Sequence, residues 1–268
     1  MNLTLLIAVT IKIYSKNDFD KMKKAGRLTA KVLNALDDFI KVGTTTQEID
    51  DFCADMIKKG GGISACLNYN GYPKNVCTSI NDVVCHGIPD ETKLQDGDII
   101  NVDVTTIIDG YFGDASKMYM VGKSFQEGRQ EERKKLVKIT KECLDIGIKY
   151  AKPGNKLLEI GKHIQEYAEK NGFSVVRDYC GHGCGKVFHD EPAVLHYLPS
   201  IFERRLFDIT LKPGMIFTIE PMINAGDWKL YVEKSNGWVA RTKDGSDSAQ
   251  WEHTIGITEN GNVIFTKE

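Results

Sequence analysis

The sequence predicts an α+β fold assembled from two related halves, and three observations carry that expectation. Helical and β-type patterns are grouped: a pair of amphipathic helices followed by strands occurs twice. Leu94–Asp103 (LQDGDIINVD) can be laid over Leu211–Glu220 (LKPGMIFTIE), and in both a turn glycine is followed six residues later by a carboxylate that ends an apolar strand. Gly43–Ile49 can likewise be laid over Gly154–Ile160, each a glycine followed by Glu-Ile opening an amphipathic helix. The offset is 111 residues from Gly43 to Gly154 and 117 from Gly97 to Gly214. Near-equal offsets imply duplicated halves, about 15–122 and 123–268, forming one domain over 15–268. A site built from both halves would lie on their pseudo-twofold axis.

Composition bounds the function. At 268 residues and 41% hydrophobic content the chain buries a substantial core. Its 35 basic and 37 acidic residues are well mixed, so no polybasic tail offers itself to nucleic acid or a membrane surface. The seven cysteines form an odd set without a Cys-x-x-Cys pair and read as reduced thiols of a cytoplasmic protein. Cys180-Gly181-His182-Gly183-Cys184 lacks the spacing of a structural zinc site.

In chain order, Leu3–Ile13 is apolar but too short to span a bilayer, and no positive residues precede it. It reads as an edge strand within an N-terminal extension, residues 1–14. Ser15 with Asp18 opens a helix whose apolar face includes Met22, Leu28, Val32 and Leu36, and Gly43 stops it. Thr45 with Glu48 opens a second, ended by Gly60-Gly61-Gly62. That triple glycine is no phosphate loop, because no Lys-Ser/Thr pair follows. Short strands and loops occupy Ile63–Pro89, ending with His86 exposed between an apolar strand and a glycine turn. Cys85 beside His86 does not make a thiol hydrolase, since neighbours along a strand point to opposite faces.

Ile99–Ile108 and Tyr111–Met120 flank Asp109-Gly110, the dipeptide that favours a two-residue hairpin turn. With that turn Thr105 faces Asp114, and Asp103 shares the face diagonally opposite Asp114. Like charges this close repel in an empty site, so a cation belongs between them. A long helix then runs to Pro153-Gly154, another spans about Lys156–Asn171, and Phe173–Asp178 is a strand. Three glycines surround His182, which lets the backbone approach a ligand and frees the imidazole to point inward. Finally Ser248–Thr254 leads into Ile255–Thr258, an Asn260-Gly261 turn and a return strand, a hairpin with an acid on it.

Asp103, Asp114, His182, Glu220 and Glu252 therefore stand out as metal ligands. Four carboxylates and an imidazole suit Mn, Fe(II), Co or Zn. Four negative charges exceed what one divalent ion neutralises and favour two ions bridged by shared carboxylates.

The strings Asn101-Val102-Asp103 with Gly113-Asp114, Gly181-His182-Gly183, Phe217–Pro221 and Gln250–Thr254 resemble the signature of type I methionine aminopeptidases, metallopeptidases of the M24 type. The match runs from about the first helix to the C-terminus. The resemblance implies the pita-bread fold, two pseudo-twofold-related halves of helices packed on a curved, largely antiparallel sheet. It implies co-translational removal of the N-terminal methionine from nascent polypeptides with a small second residue, by a water activated by two divalent ions. Asp103 would chelate one ion, His182 and Glu220 the other, with Asp114 and Glu252 bridging. Glu220 would handle the proton, His189 would hydrogen-bond the substrate near the tetrahedral centre, and His86 would contact the scissile amide. Cys66, Tyr69, Tyr72, Cys77, Phe188 and Trp238 would make the methionine pocket, soft and aromatic as a thioether prefers. A monomer with transient ribosome contact is implied as well.

Two departures are noted: the first ten residues extend beyond the usual start, and Cys184 stands where an aliphatic residue is usual. No zinc-binding or proline-rich extension and no long insertion between Glu220 and Glu252 mark a type II enzyme. Proline-directed relatives of the fold carry a large extra N-terminal domain, and non-catalytic relatives have lost ligands that this chain keeps.

Overall fold

Capping chemistry sets where the helices begin. In the computed structural model, which describes residues 10–268, helix α1 spans Lys16–Phe39. The Ser15 hydroxyl accepts the Asp18 amide, and the Ser15 amide donates to the Asp18 carboxylate at 2.8 Å. Helix α2, Thr46–Lys59, starts with the same reciprocal pair, Thr45 and Glu48, and ends at Gly60. Gly43 does not stop α1, which already ends at Phe39 when Ile40 turns extended. Instead its left-handed φ of 88° and its amide bond to the Leu94 carbonyl (2.8 Å) turn the chain into α2.

That turn is repeated in the second half, between α3 (Gly128–Tyr150) and α4 (Leu158–Lys170). Gly154, with φ 87°, donates to the Leu211 carbonyl at 2.9 Å. Leu94 donates to Thr44, as Leu211 does to Asn155; isolated bridges pair Thr45 with Lys93, and Lys156 with Thr210. Each bond in one half has its partner at the offsets of 111 and 117 read from the sequence. Apolar side chains of α1 and α2 pack with the Ile99–Ile108 strand around Val32, Leu36, Ile49 and Ile100. Those of α3 and α4 pack with Ile216–Ile219 around Leu136, Leu144, Ile160 and Phe217. Each such fully buried side chain contributes roughly 1.5–3 kcal/mol.

Every strand pairing is antiparallel. The central hairpin has Ile108 opposite Tyr111 and Thr105 opposite Asp114, and Asp109 and Gly110 both take positive φ (52° and 77°), a type I′ turn. In the second half, Ile216–Ile219 pairs with His253–Thr258, which returns through Gly261–Ile264. Here the tight turn is Glu259-Asn260, one residue earlier than the Asn-Gly dipeptide suggests, because Gly261 already pairs with Thr258. Glu252 lies before this hairpin: Ile219 faces His253, so Glu220 and Glu252 follow and precede the same pair. The halves meet where the Glu252 amide donates to the Ser116 carbonyl (3.1 Å) and the Thr254 hydroxyl donates to the Asp114 carbonyl (2.7 Å).

Three other expectations change. The edge strand falls partly on residues 1–9, outside the described residues, and residues 10–15 form no strand; there the Tyr14 amide bonds the Gly214 carbonyl (2.8 Å). The strand after α4 is only Ser174–Val175. His86 is half-buried rather than exposed.

Candidate metal centre and active site

Two carboxylates from the middle of the central hairpin, Asp103 and Asp114, meet two that flank strand ends, Glu220 and Glu252; Asp103 does not end its strand as the sequence overlay implies. Asp103, Asp114, His182, Glu220 and Glu252 line a single cavity of about 340 Å³, together with His86, His189, Cys66, Tyr69, Tyr72, Cys77, Phe188 and Trp238. Asp114 and Glu252 are 4% and 2% exposed. One ligand atom each from Asp114, His182 and Glu252 lies within 4.8 Å of the other two. His182 Nε2 is 3.6 Å from Asp114 Oδ2 and 3.5 Å from Glu220 Oε1.

Hydrogen bonding fixes what His182 offers. Its Nδ1 lies 3.1 Å from the Gly183 carbonyl oxygen, which can only accept, so Nδ1 carries the proton and Nε2 presents a lone pair. Burial holds this imidazole neutral by lowering its pKa to about 3. An imidazole lone pair thus faces two carboxyl groups with no proton of its own to offer them, an arrangement that a cation resolves. Asp103 adds a buried Oδ1 without a hydrogen-bond partner. Burial raises the pKa values of Asp103, Glu220 and Glu252, and Asp114 raises each further; Asp114 itself is pushed up by burial to about 7. Among the described residues lining the cavity none is lysine or arginine. Hard oxygen donors and one imidazole without a basic side chain fit divalent metal ions.

The two glycines beside His182 serve a different end from the one expected. A Cβ at Gly181 would lie 2.4 Å from the Thr218 carbonyl oxygen, and one at Gly183 would lie 2.1 Å from that of Glu191. They let adjacent strands close on each other; ligand access is not what requires them. Thr218 links two candidate ligands, accepting the His182 amide (2.9 Å) and donating to Glu220 Oε1 (2.8 Å). Gln250 donates to Glu220 Oε2 at 3.2 Å, the Glu220 amide donates to His196 Nε2 at 3.1 Å, and Thr105 donates to Asp114 at 2.6 Å. Thr105 opposite Asp114 follows from the hairpin register; Thr218, Gln250 and His196 as supporting groups, and Met222, Tyr179 and Cys180 of the lining, do not follow from the sequence analysis.

Cys85 and His86 both line the cavity, so opposite strand faces do not separate them. His86 follows the strand Val83–Cys85 with φ 57°, which breaks the alternation. The thiol hydrolase fails instead because burial raises the Cys85 thiol far above its ordinary pKa, leaving no thiolate.

Beside the acids, Cys66, Tyr72, Cys77 and Phe188 form a buried cluster with Tyr69 and Trp238 against it. Tyr72 meets Trp238 edge to face at 5.2 Å, and Phe188 stacks on Phe112 at 5.4 Å.

A distinctive pH response follows for the metal-free protein. Raised carboxylate pKa values mean that the folded state binds protons the unfolded state has lost, so stability falls as pH rises through them. The buried histidines 86, 182, 196 and 253 are depressed to about 3 or 4 and cost stability only below about 6.5. In the window above about pH 6.5 the carboxylates therefore dominate: each one still protonated in the folded chain but ionised in the unfolded chain lowers stability by about 1.4 kcal/mol per pH unit until it too ionises, which for Asp114 is at about 7. Calorimetry of chelated protein is expected to show Tm falling by several degrees across that window, and saturating divalent ion should abolish the fall.

Residues 20–259 match the model of metallopeptidase family M24. A methionine aminopeptidase of Salmonella typhimurium is 53% identical over 260 residues, covering 96% of this chain and 94% of that protein. The Escherichia coli K12 methionine aminopeptidase is 51% identical with the same coverage. The crystal structure of methionine aminopeptidase from Rickettsia prowazekii superposes with a TM-score of 0.90 at 48% identity, covering 96% of this chain and all of that one. Prolidase from Pyrococcus furiosus, at 23% identity and a TM-score of 0.71, shares the fold; this chain covers 65% of its length.

Proposed function

Because the chain belongs to metallopeptidase family M24, we propose that it removes the N-terminal methionine from nascent polypeptides whose second residue is small. The observation that carries this reading is the juxtaposition of the His182 lone pair, facing Asp114 and Glu220, with a sulfur-and-aromatic pocket in the same cavity. A peptide bond held between them would be hydrolysed.

Asp103 would hold one divalent ion, His182 and Glu220 a second, and Asp114 and Glu252 both. Four carboxylates support two ions over one, drawn from Co, Mn, Fe or Zn. When bound, such ions supply Lewis acidity that acidifies a water molecule and polarises a carbonyl. Glu220 is the proton carrier: burial lifts its pKa, and Thr218 and Gln250 hold one carboxylate oxygen each. His189, an exposed residue whose ring is partly desolvated by the cavity wall so that its pKa is lowered, donates a hydrogen bond to the oxygen that gains charge. His86, depressed to about 4 by burial and by His189, offers a neutral ring to the scissile amide. Cys66, Tyr69, Tyr72, Cys77, Phe188 and Trp238 take the methionine side chain, whose thioether packs well on rings and sulfur.

Nascent chains emerge at ribosomes, so a cytoplasmic monomer touching the ribosome transiently completes the reading. All seven cysteines are unpaired, and no helix among the described residues is long and apolar enough to cross a membrane. The deciding assay compares Met-Ala-Ser with Ala-Pro peptides. Release of methionine from the first, with the second left intact, is expected; the reverse preference would make the chain a proline-directed enzyme.

A further inference from the structure

Tyr69 has a second polar neighbour besides the methionine pocket. Its hydroxyl lies 2.9 Å from His189 Nδ1, and its ring packs on Phe188 at 4.8 Å and tilts over the His189 ring at 5.2 Å. The phenol has no other hydrogen-bond partner among the described residues. Its backbone is pinned: the Tyr69 amide donates to Cys66 (3.0 Å), its carbonyl accepts from Tyr72 (2.9 Å), and Asn68 and Asn70 on either side take left-handed φ values of 65° and 48°. Residues in that region are held by their surroundings at a cost, which fixes where the hydroxyl sits.

A neutral imidazole carries one N–H, and which nitrogen bears it depends on the partner of the other. Of the two possible directions, phenol O–H to imidazole nitrogen is the stronger bond, because the phenol is the better donor of the pair and the bare ring nitrogen the better acceptor. Nδ1 then accepts, and the N–H is left on Nε2. We propose that Tyr69 is a positioning residue: by donating to Nδ1 it holds His189 as the Nε2–H tautomer, the form able to donate to the substrate oxygen. This rests on the reading of His189 given above. Without Tyr69, both tautomers compete and the ring loses one of its restraints, while the apolar pocket keeps its shape.

Tyr69→Phe removes only the hydroxyl and keeps both ring contacts. In the metal-loaded enzyme kcat for Met-Ala-Ser is expected to fall roughly 10-fold, less than the roughly 10²- to 10³-fold of losing the oxyanion donor outright, with KM unchanged. Independently of turnover, ¹⁵N spectra of histidine-labelled protein, metal-free and zinc-loaded, should show the His189 Nε2–H tautomer in the parent and a mixture in Tyr69→Phe. Adding Tyr69→Phe to His189→Ala should cost nothing further, because the two act through one group. An unaltered tautomer in Tyr69→Phe, or a raised KM at constant kcat, would overturn the proposal while leaving His189's own role standing. If His189→Ala alone is silent, the reading of His189 fails and this proposal falls with it.

Discussion

Chelating the divalent ions and desalting the protein is expected to lower methionine release from Met-Ala-Ser by about 10³-fold or more, since Lewis-acid stabilisation is worth several kcal/mol and each 1.36 kcal/mol is tenfold. Titrating a divalent ion back should restore activity, with calorimetry resolving two binding steps. Asp103→Asn, which alters a group assigned to one ion only, should keep one step and lose the other. His182 keeps its lone pair toward Asp114 and Glu220 in that variant, so the remaining ion still has its ligands. Turnover that survives thorough chelation would sink the metal mechanism, and a single binding step in the parent would reduce the centre to one ion.

Replacing His189 with alanine carries the second large effect. Loss of one donor to a developing oxyanion costs about 10²- to 10³-fold in kcat. The side chain is exposed at the cavity mouth, so Tm should hardly move. KM should also change little, because the bond strengthens only as the oxygen gains charge. Unchanged kcat would remove His189 from the chemistry, and a fall in affinity alone would make it a binding group.

How much was legible beforehand follows from the range of the forces involved. Ser15 with Asp18 and Thr45 with Glu48 are contacts three residues apart, and Asp109-Gly110 fixes a turn by itself, so helix starts and the central register could be read directly. The offsets of 111 and 117 exposed the duplication because each half must close the same turn on itself. Termination was harder: Gly43 acts in a tertiary turn against Leu94, and the last hairpin turns at Glu259-Asn260 because pairing with the Ile216–Ile219 strand sets its register. The supporting groups carried a usable signal that went unread. Thr218 and Met222 flank Glu220 at two residues, Gln250 and Thr254 flank Glu252, and Cys180 precedes His182 by two, the period of one strand face. His196 offered no such clue, being 24 residues from the Glu220 amide it accepts.

The backbone inversion at His86, φ 57°, lets two consecutive side chains wall the same chamber, where an ordinary strand would offer every other one. Cys85, which ends a three-residue strand, and His86, which follows it, thereby set a thiol and an imidazole on the same wall. The cost is conformational, since positive φ is uncommon outside glycine, and among the asparagine, aspartate and histidine that tolerate it best only histidine brings an imidazole. The placement of this ring is thus written into the main chain, and β-branched replacements would disturb the path of the polypeptide before they disturbed any contact.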